Sequence, residues 1–242
     1  MKLFDELITK TYSLLPTSGG KDITSLPDVS NYIGRKNELI LGKELAYELG
    51  GNSLPCVVYN LYTEDSNLVD KDEVIIYGKD IHELKKDTAF ARISVILTDN
   101  IDQEGEQEAY NILEKIGLRR YDVSADGFMV RTSVLSNREQ VRVSKTAIKN
   151  KLSFAHVGKM YIDAFKKNPH VKAVKMIFVT LPDVDYFQFD HIGNLSINLF
   201  RALNHAITDL KMDCHHCQWK VVCDEVEGMK EMHQQMINKQ SK

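Results

Sequence analysis

Val171-Lys172-Ala173-Val174-Lys175-Met176-Ile177-Phe178-Val179-Thr180-Leu181 is the clearest strand in the chain, and its reading decides the fold. Val171 and Ala173 alternate with lysines, and Met176 to Val179 then runs without a polar residue, which suggests burial on both faces at the strand's end. Upstream, three further runs have strand character and are bounded by Gly, Asp or Asn. They are Leu54-Pro55-Cys56-Val57-Val58-Tyr59, Glu73-Val74-Ile75-Ile76-Tyr77 and Ala91-Arg92-Ile93-Ser94-Val95-Ile96-Leu97. They read as neighbours in one sheet, and a connecting strand is expected around Gly127 to Val134.

Helical spacing alternates with these strands. Residues 103–116 place Ala109, Ile112, Leu113 and Ile116 on one face, with a stop at Gly117. Arg138 to Lys149 reads as another helix, and Val157 to Lys167 as a third that Asn168-Pro169 closes. The first fifteen residues carry Leu3, Phe4, Leu7, Ile8 and the Leu14-Leu15 pair at helical spacing, ending at Pro16. Residues 16–32, with Ser18-Gly19-Gly20 and Pro27-Asp28, are turn-rich. Beyond Pro182 a helical tract from Leu195 to Leu210 leads into a cysteine-bearing segment, and a charged helix with Met229, Met232 and Met236 follows. The expected fold class is α/β (α+β), a mixed sheet with packed helices. Its divisions are a helical arm and linker over 1–32, an α/β domain over 33–182 and a helical tail over 183–242.

Composition narrows the function classes. At 242 residues, 43% hydrophobic and 27% charged, the chain can bury a core without disulfide staples. A net charge of -3, from 31 basic and 34 acidic residues, excludes a global footprint for nucleic acid, so any anion site must be local. No apolar run reaches membrane-spanning length and the first residues lack the apolar core of a signal peptide, so a cytoplasmic protein without a membrane partner is expected. Neither a phosphate-binding Gly-Lys loop nor a dinucleotide fingerprint occurs, and Gly50-Gly51-Asn52 reads as a turn.

The strongest chemical signal is Cys214-His215-His216-Cys217-Gln218-Trp219-Lys220-Val221-Val222-Cys223, which gathers three of the four cysteines within ten residues. Two residues between Cys214 and Cys217 suffice to bring both sulfurs to the same side, and Cys223 adds a third thiolate. Thiolate softness suits iron–sulfur or zinc and excludes magnesium and calcium. Two occupants are open: a [4Fe–4S] cluster whose fourth ligand comes from a histidine, a small molecule or a partner, or a Cys₃His zinc site using His215, His216, His205 or His233. Reduced thiols without metal are the third reading. Cys56, following Pro55 in an apolar strand, reads as a small buried hydrophobe.

Four stretches carry a family resemblance: Ile33-Gly34-Arg35-Lys36-Asn37-Glu38-Leu39, Glu48-Leu49-Gly50-Gly51-Asn52, Val74-Ile75-Ile76-Tyr77-Gly78-Lys79-Asp80-Ile81 and Val141-Arg142-Val143-Ser144-Lys145. In this order they resemble the middle domain of CO-methylating acetyl-CoA synthase, the β subunit of the CO dehydrogenase/acetyl-CoA synthase complex, over about residues 33–182. The resemblance implies anaerobic one-carbon or corrinoid metabolism and a protein partner from a CO dehydrogenase or corrinoid system. It also implies an iron–sulfur cluster, for which Cys214, Cys217 and Cys223 fall where the family's first cysteines would be. The family binds nickel through a Cys-Gly-Cys motif that this sequence does not contain, so no catalytic residue is assigned and turnover by this chain alone is not expected. In the family an arginine-rich region of this domain is thought to engage coenzyme A. Its counterparts here are Arg131, Arg138, Arg142 and Lys145, in a basic stretch that also holds Arg119 and Arg120, and guanidinium groups suit phosphates. The blander reading of such a stretch is the solvated face of a helix.

Overall fold

The computed structural model describes residues 4–26, 40, 42–51, 54–99, 101, 105–132, 138–208, 218 and 220–225. In chain order the elements are α1 (Asp5–Leu14), β1 (Gly20–Asp22), β2 (Ala46–Leu49), β3 (Cys56–Thr63), β4 (Glu73–Tyr77), β5 (Phe90–Thr98) and α2 (Glu106–Leu118). There follow β6 (Phe128–Thr132), β7 (Glu139–Ser144), α3 (Lys145–Lys149), α4 (Phe154–Phe165), β8 (Val171–Val179), α5 (Tyr186–Thr208) and α6 (Lys220–Glu225).

Five strands form the main sheet in the order β1-β4-β8-β5-β3, and the decisive strand β8 lies in the middle. It pairs in parallel with β4 and antiparallel with β5, which in turn runs parallel to β3. The sheet is therefore mixed, and the fold is α/β. The register sets which side chains share a face. One face carries the row Ile76, Phe178, Arg92 and Val58, and the next row Val74, Met176, Ser94 and Asn60. Helix α4 covers this face, where Phe154 stacks on Phe178 at 4.4 Å between ring centroids. A Cβ at Gly158 would lie only 2.6 Å from Val74, so the bare glycine allows α4 to approach the sheet closely. The opposite face carries Ile75, Ile177, Ile93 and Tyr59 and receives α1, whose Thr11 hydroxyl meets that of Tyr59 at 3.1 Å.

Both helix-bearing faces explain why β3, β5 and β8 are buried along almost their whole length rather than in alternation. Helix α5 lies along the edge strand β3, where the Ser196 hydroxyl donates to the Asn60 carbonyl at 2.9 Å. The first residues contribute to the same layers, since β1 pairs antiparallel with β4 and Phe4 packs against Tyr62 and Phe200. No helix among the described residues is long and apolar enough to cross a membrane.

The joint between β4 and α4 is made by one carboxylate. Asp80 is buried, accepts from the Ile81 amide at 2.6 Å and caps a short 3-10 turn, with Glu83 returning a bond to the Asp80 amide at 2.8 Å. The same carboxylate accepts from the Phe154 amide at 2.7 Å and from the Ser153 hydroxyl, while Ser153 itself caps α4. Gly78 enters this joint at φ +109, where a Cβ would lie 2.5 Å from the Thr180 hydroxyl, so a side chain would collide.

Two sequence expectations are corrected. The stretch Arg138 to Lys149 is not one helix: Glu139–Ser144 is strand β7 and only Lys145–Lys149 is helical. Val141 and Val143 alternate with Gln140 and Arg142, a period of two, and the Ser144 hydroxyl accepts from the Thr146 amide to start the helix. Helix α2 also continues through Gly117 to Leu118, where the glycine leaves room for the Tyr62 hydroxyl instead of ending the helix. The predicted tail helix lies outside the described residues apart from the end of α6.

Candidate functional site

The second sheet, antiparallel in the order β2-β7-β6, carries the basic residues singled out in the sequence. Its register pairs Glu48 with Arg142, Arg142 with Met129, and Gln140 with Arg131. Because paired residues share a face and the strand period is two, Glu48, Gln140, Arg142 and Arg131 occupy one face. Leu49, Val141, Val143 and Phe128 occupy the other. The structure thus brings Arg131 and Arg142 together, and it divides their roles.

Arg142 is buried. Its Nε donates to Glu48 Oε1 at 2.9 Å and its Nη1 donates to the Ile40 carbonyl at 3.1 Å. Gln140 donates to the same Glu48 oxygen at 3.3 Å, while Glu48 Oε2 is buried with no hydrogen-bond partner among the described residues. Arg131 and Arg138 are exposed and form no ion pair among the described residues, Arg131 on β6 and Arg138 just ahead of β7. Lys145 opens α3 with its ammonium over the Tyr47 ring, 5.0 Å from the centroid. Arg119 and Arg120 sit apart from this face, in the 3-10 turn after α2, and Arg119 pairs with Asp122 at 3.2 Å. What remains for a solvent-borne anion is Arg131 and Arg138, with Arg142 already engaged by Glu48.

A second arginine was hidden in a run that reads as apolar. Arg92, third residue of β5, is 1% exposed and reaches from the main sheet to the small one. Its Nη2 donates to Glu139 Oε1 at 2.6 Å, its Nε to Oε2 at 3.2 Å and its Nη1 to the Ser94 hydroxyl at 3.2 Å, and the Tyr161 ring lies beneath the guanidinium at 4.4 Å. Burial works against the Arg92 charge, yet the Glu139 carboxylate beside it holds its pKa above the usual arginine range. Burial also pushes the Tyr161 hydroxyl up to about 12. Cys56 is buried as expected, its thiol donating to the Glu139 carbonyl, and burial raises it to about 11. A thiol so placed stays protonated and is a poor nucleophile. The one sequence signal for this network is a charged residue inside an otherwise apolar strand.

Among the cysteine cluster, Cys214, His215, His216 and Cys217 lie outside the described residues, and Cys223 contributes only its backbone, in α6. Among the described residues no group of three or more His, Cys, Asp or Glu is arranged to hold a metal ion.

The fold and its basic face define a class: a mixed α/β core with an antiparallel accessory sheet, locked by a buried ion pair and presenting exposed arginines on the accessory sheet. Residues 31–184 match the family described as CO dehydrogenase/acetyl-CoA synthase complex beta subunit, and the chain belongs to that family. No curated protein matches the chain.

Proposed function

We propose that the chain is a non-catalytic or auxiliary member of a CO dehydrogenase/acetyl-CoA synthase-type system of one-carbon metabolism, which docks a protein partner and takes coenzyme A on the accessory sheet. The observation that carries this reading is the family match over the α/β core, together with two exposed arginines beside a third that is already neutralised. Arg131 and Arg138 contact the ligand's phosphates with bidentate guanidinium geometry, Lys145 adds charge at the start of α3, and Arg142 keeps the sheet in register through Glu48. Family membership supports a CO dehydrogenase or corrinoid protein as the partner, since the family's own description is that of a subunit of a complex.

The donor set Cys214, Cys217 and Cys223 fits a soft metal centre. In this reading the three thiolates hold a [4Fe–4S] cluster that supplies one-electron transfer when bound, with the fourth position filled by His215, His216 or the partner. Iron and sulfide analysis of anaerobically purified protein tests this. Stoichiometric iron and sulfide support it, one zinc per chain replaces it with a structural site, and metal-free protein overturns it. For the ligand, a calorimetric titration with coenzyme A is expected to show binding that Arg131→Gln with Arg138→Gln abolishes. No binding to the wild-type chain overturns the coenzyme A assignment.

A further inference from the structure

On the face of the main sheet that receives α1, the helix lies over β3 and leaves the opposite edge partly open. The two faces of β4 show this directly. Val74 and Ile76, on the α4 side, are 1% exposed, whereas Glu73, Ile75 and Tyr77 on the α1 side are only half buried. The result is a groove of about 360 Å³ on the main sheet. Tyr12 and Leu15, at the end of α1, form one wall, Asp22 and Tyr77 form the other, and Ile75 and Ile177 make the floor. A Cβ at Gly20 would lie 2.7 Å from the Tyr77 ring, so the bare glycine lets that ring pack across β1 as a wall.

The two ends of the groove carry opposite charge. At the edge, Asp22 Oδ1 accepts from the Thr24 amide at 2.9 Å and from the Thr24 hydroxyl, which itself accepts from the Val74 amide at 2.8 Å. These bonds fix the carboxylate and hold its pKa below the usual range, while Oδ2 has no partner among the described residues. At the inner end Lys71 and Lys175 share the Glu73 carboxylate, at 3.2 and 2.9 Å, so two positive charges face one negative. Lys71 is exposed at the rim, whereas Lys175 is half buried, with its ammonium 5.6 Å from the centroid of the Tyr12 ring. An ammonium has three donors, so Lys175 can serve an acceptor besides Glu73. Asp22 pairs with Ile75, and Lys175 with Glu73, which sets the two charged residues two strands apart and two residues out of step. Strand geometry places their Cα atoms about 12 Å apart, a span that the two side chains shorten from both ends. An apolar floor thus lies between a free carboxylate oxygen and an ammonium. We infer that this groove binds an ω-amino carboxylate, a small zwitterion whose ammonium donates to Asp22 Oδ2 and whose carboxylate accepts from Lys175. Its hydrocarbon chain lies on Ile75 and Ile177. The bound carboxylate leaves two cations facing two anions at the inner end. An α-amino acid holds its charges too close together to meet both ends, and the volume, at the lower end for ligand pockets, suits a short chain.

The test uses the full chain and four probes: 6-aminohexanoate, hexanoate without the ammonium, hexylamine without the carboxylate, and glycine with both charges but no spacer. Binding is followed by the methyl and backbone amide shifts of Ile75 and Ile177. With 6-aminohexanoate these shifts are expected to saturate below about 10 mM, and each of the other probes is expected to bind at least about tenfold more weakly. Asp22→Asn, at an exposed position whose change leaves the fold intact, should weaken 6-aminohexanoate by a similar factor. Lys175→Met, which keeps the apolar stem, should weaken it as well. Absence of saturation with 6-aminohexanoate, equal binding of any one of the other probes, or affinity unchanged in either variant would overturn the assignment.

Discussion

Arg92 and Arg142 each face a buried glutamate, but Arg92 reaches from one sheet to another, whereas Arg142 pairs with the strand beside it. Around Arg92 every group is matched: both oxygens of Glu139 accept, Ser94 takes a third bond and Tyr161 lies beneath the ring. Around Arg142 the match is partial, since one Glu48 oxygen serves both Arg142 and Gln140 while the other has no partner among the described residues. The first pair joins two sheets at a point where water does not reach. The second fixes the register of a smaller sheet beside exposed cations. A saturated ion pair thus marks the part of the molecule that must not move, and an unsaturated one lies next to the part proposed to meet a ligand.

The contrast can be broken most severely at Glu139. Glu139→Ala leaves Arg92 charged and buried without its partner, and urea unfolding is expected to show a loss of about 3–5 kcal/mol. Replacing both partners, Arg92→Met with Glu139→Leu, should recover most of that loss, because the cost lies in the orphaned charge. Glu48→Ala should be milder, about 1–3 kcal/mol, since Arg142 keeps the Ile40 carbonyl as an acceptor. A Glu48 variant as damaging as the Glu139 variant would erase the distinction between the two pairs.

An alkaline titration sharpens the picture of the saturated region. The Cys56 thiol is raised from 9.0 to about 11, so over that interval the unfolded chain gives up its proton while the folded protein retains it. Unfolding is thereby favoured, and stability should fall as pH rises from the ordinary thiol value through about 11. Tyr62 and Tyr161, both raised to about 12 by burial, extend the decline. Comparing urea midpoints of wild type and Cys56→Ala across this range isolates the thiol, and parallel curves would show that Cys56 contributes nothing. The smallest stability effect is expected from Arg131→Gln and Arg138→Gln, each within about 0.5 kcal/mol, although the pair should abolish coenzyme A binding. A large stability loss there would mean that these arginines hold structure instead of ligand.

Much of this fold was legible from local pattern. The apolar run at the end of β8 announced a strand covered on both faces, and the α4 helix was visible from its spacing. The β7 segment was misread because Arg138, Arg142 and Lys145 look like a charged helical face, while the Val141 and Val143 alternation that decides the matter spans only a few residues. Glu139 and Arg92 were invisible as a pair, since 47 residues separate them and neither carries a local signature of its partner. The metal reading of Cys214, Cys217 and Cys223 rests on their spacing and on the family resemblance.

Asp80 also bears on how the chain reaches this state. The carboxylate that caps the start of α4 comes from 74 residues earlier, so the first turn of that helix lacks its full set of acceptors until a long loop has closed. Closure entropy must be overcome before the cap can reward it, which gives this segment a high contact order and places its completion late on the folding route. Asp80→Asn should therefore accelerate unfolding while leaving the refolding rate nearly unchanged, and slowed refolding would instead put the joint inside the folding nucleus. A residue that looks like a local helix cap is, in kinetic terms, a latch that shuts last.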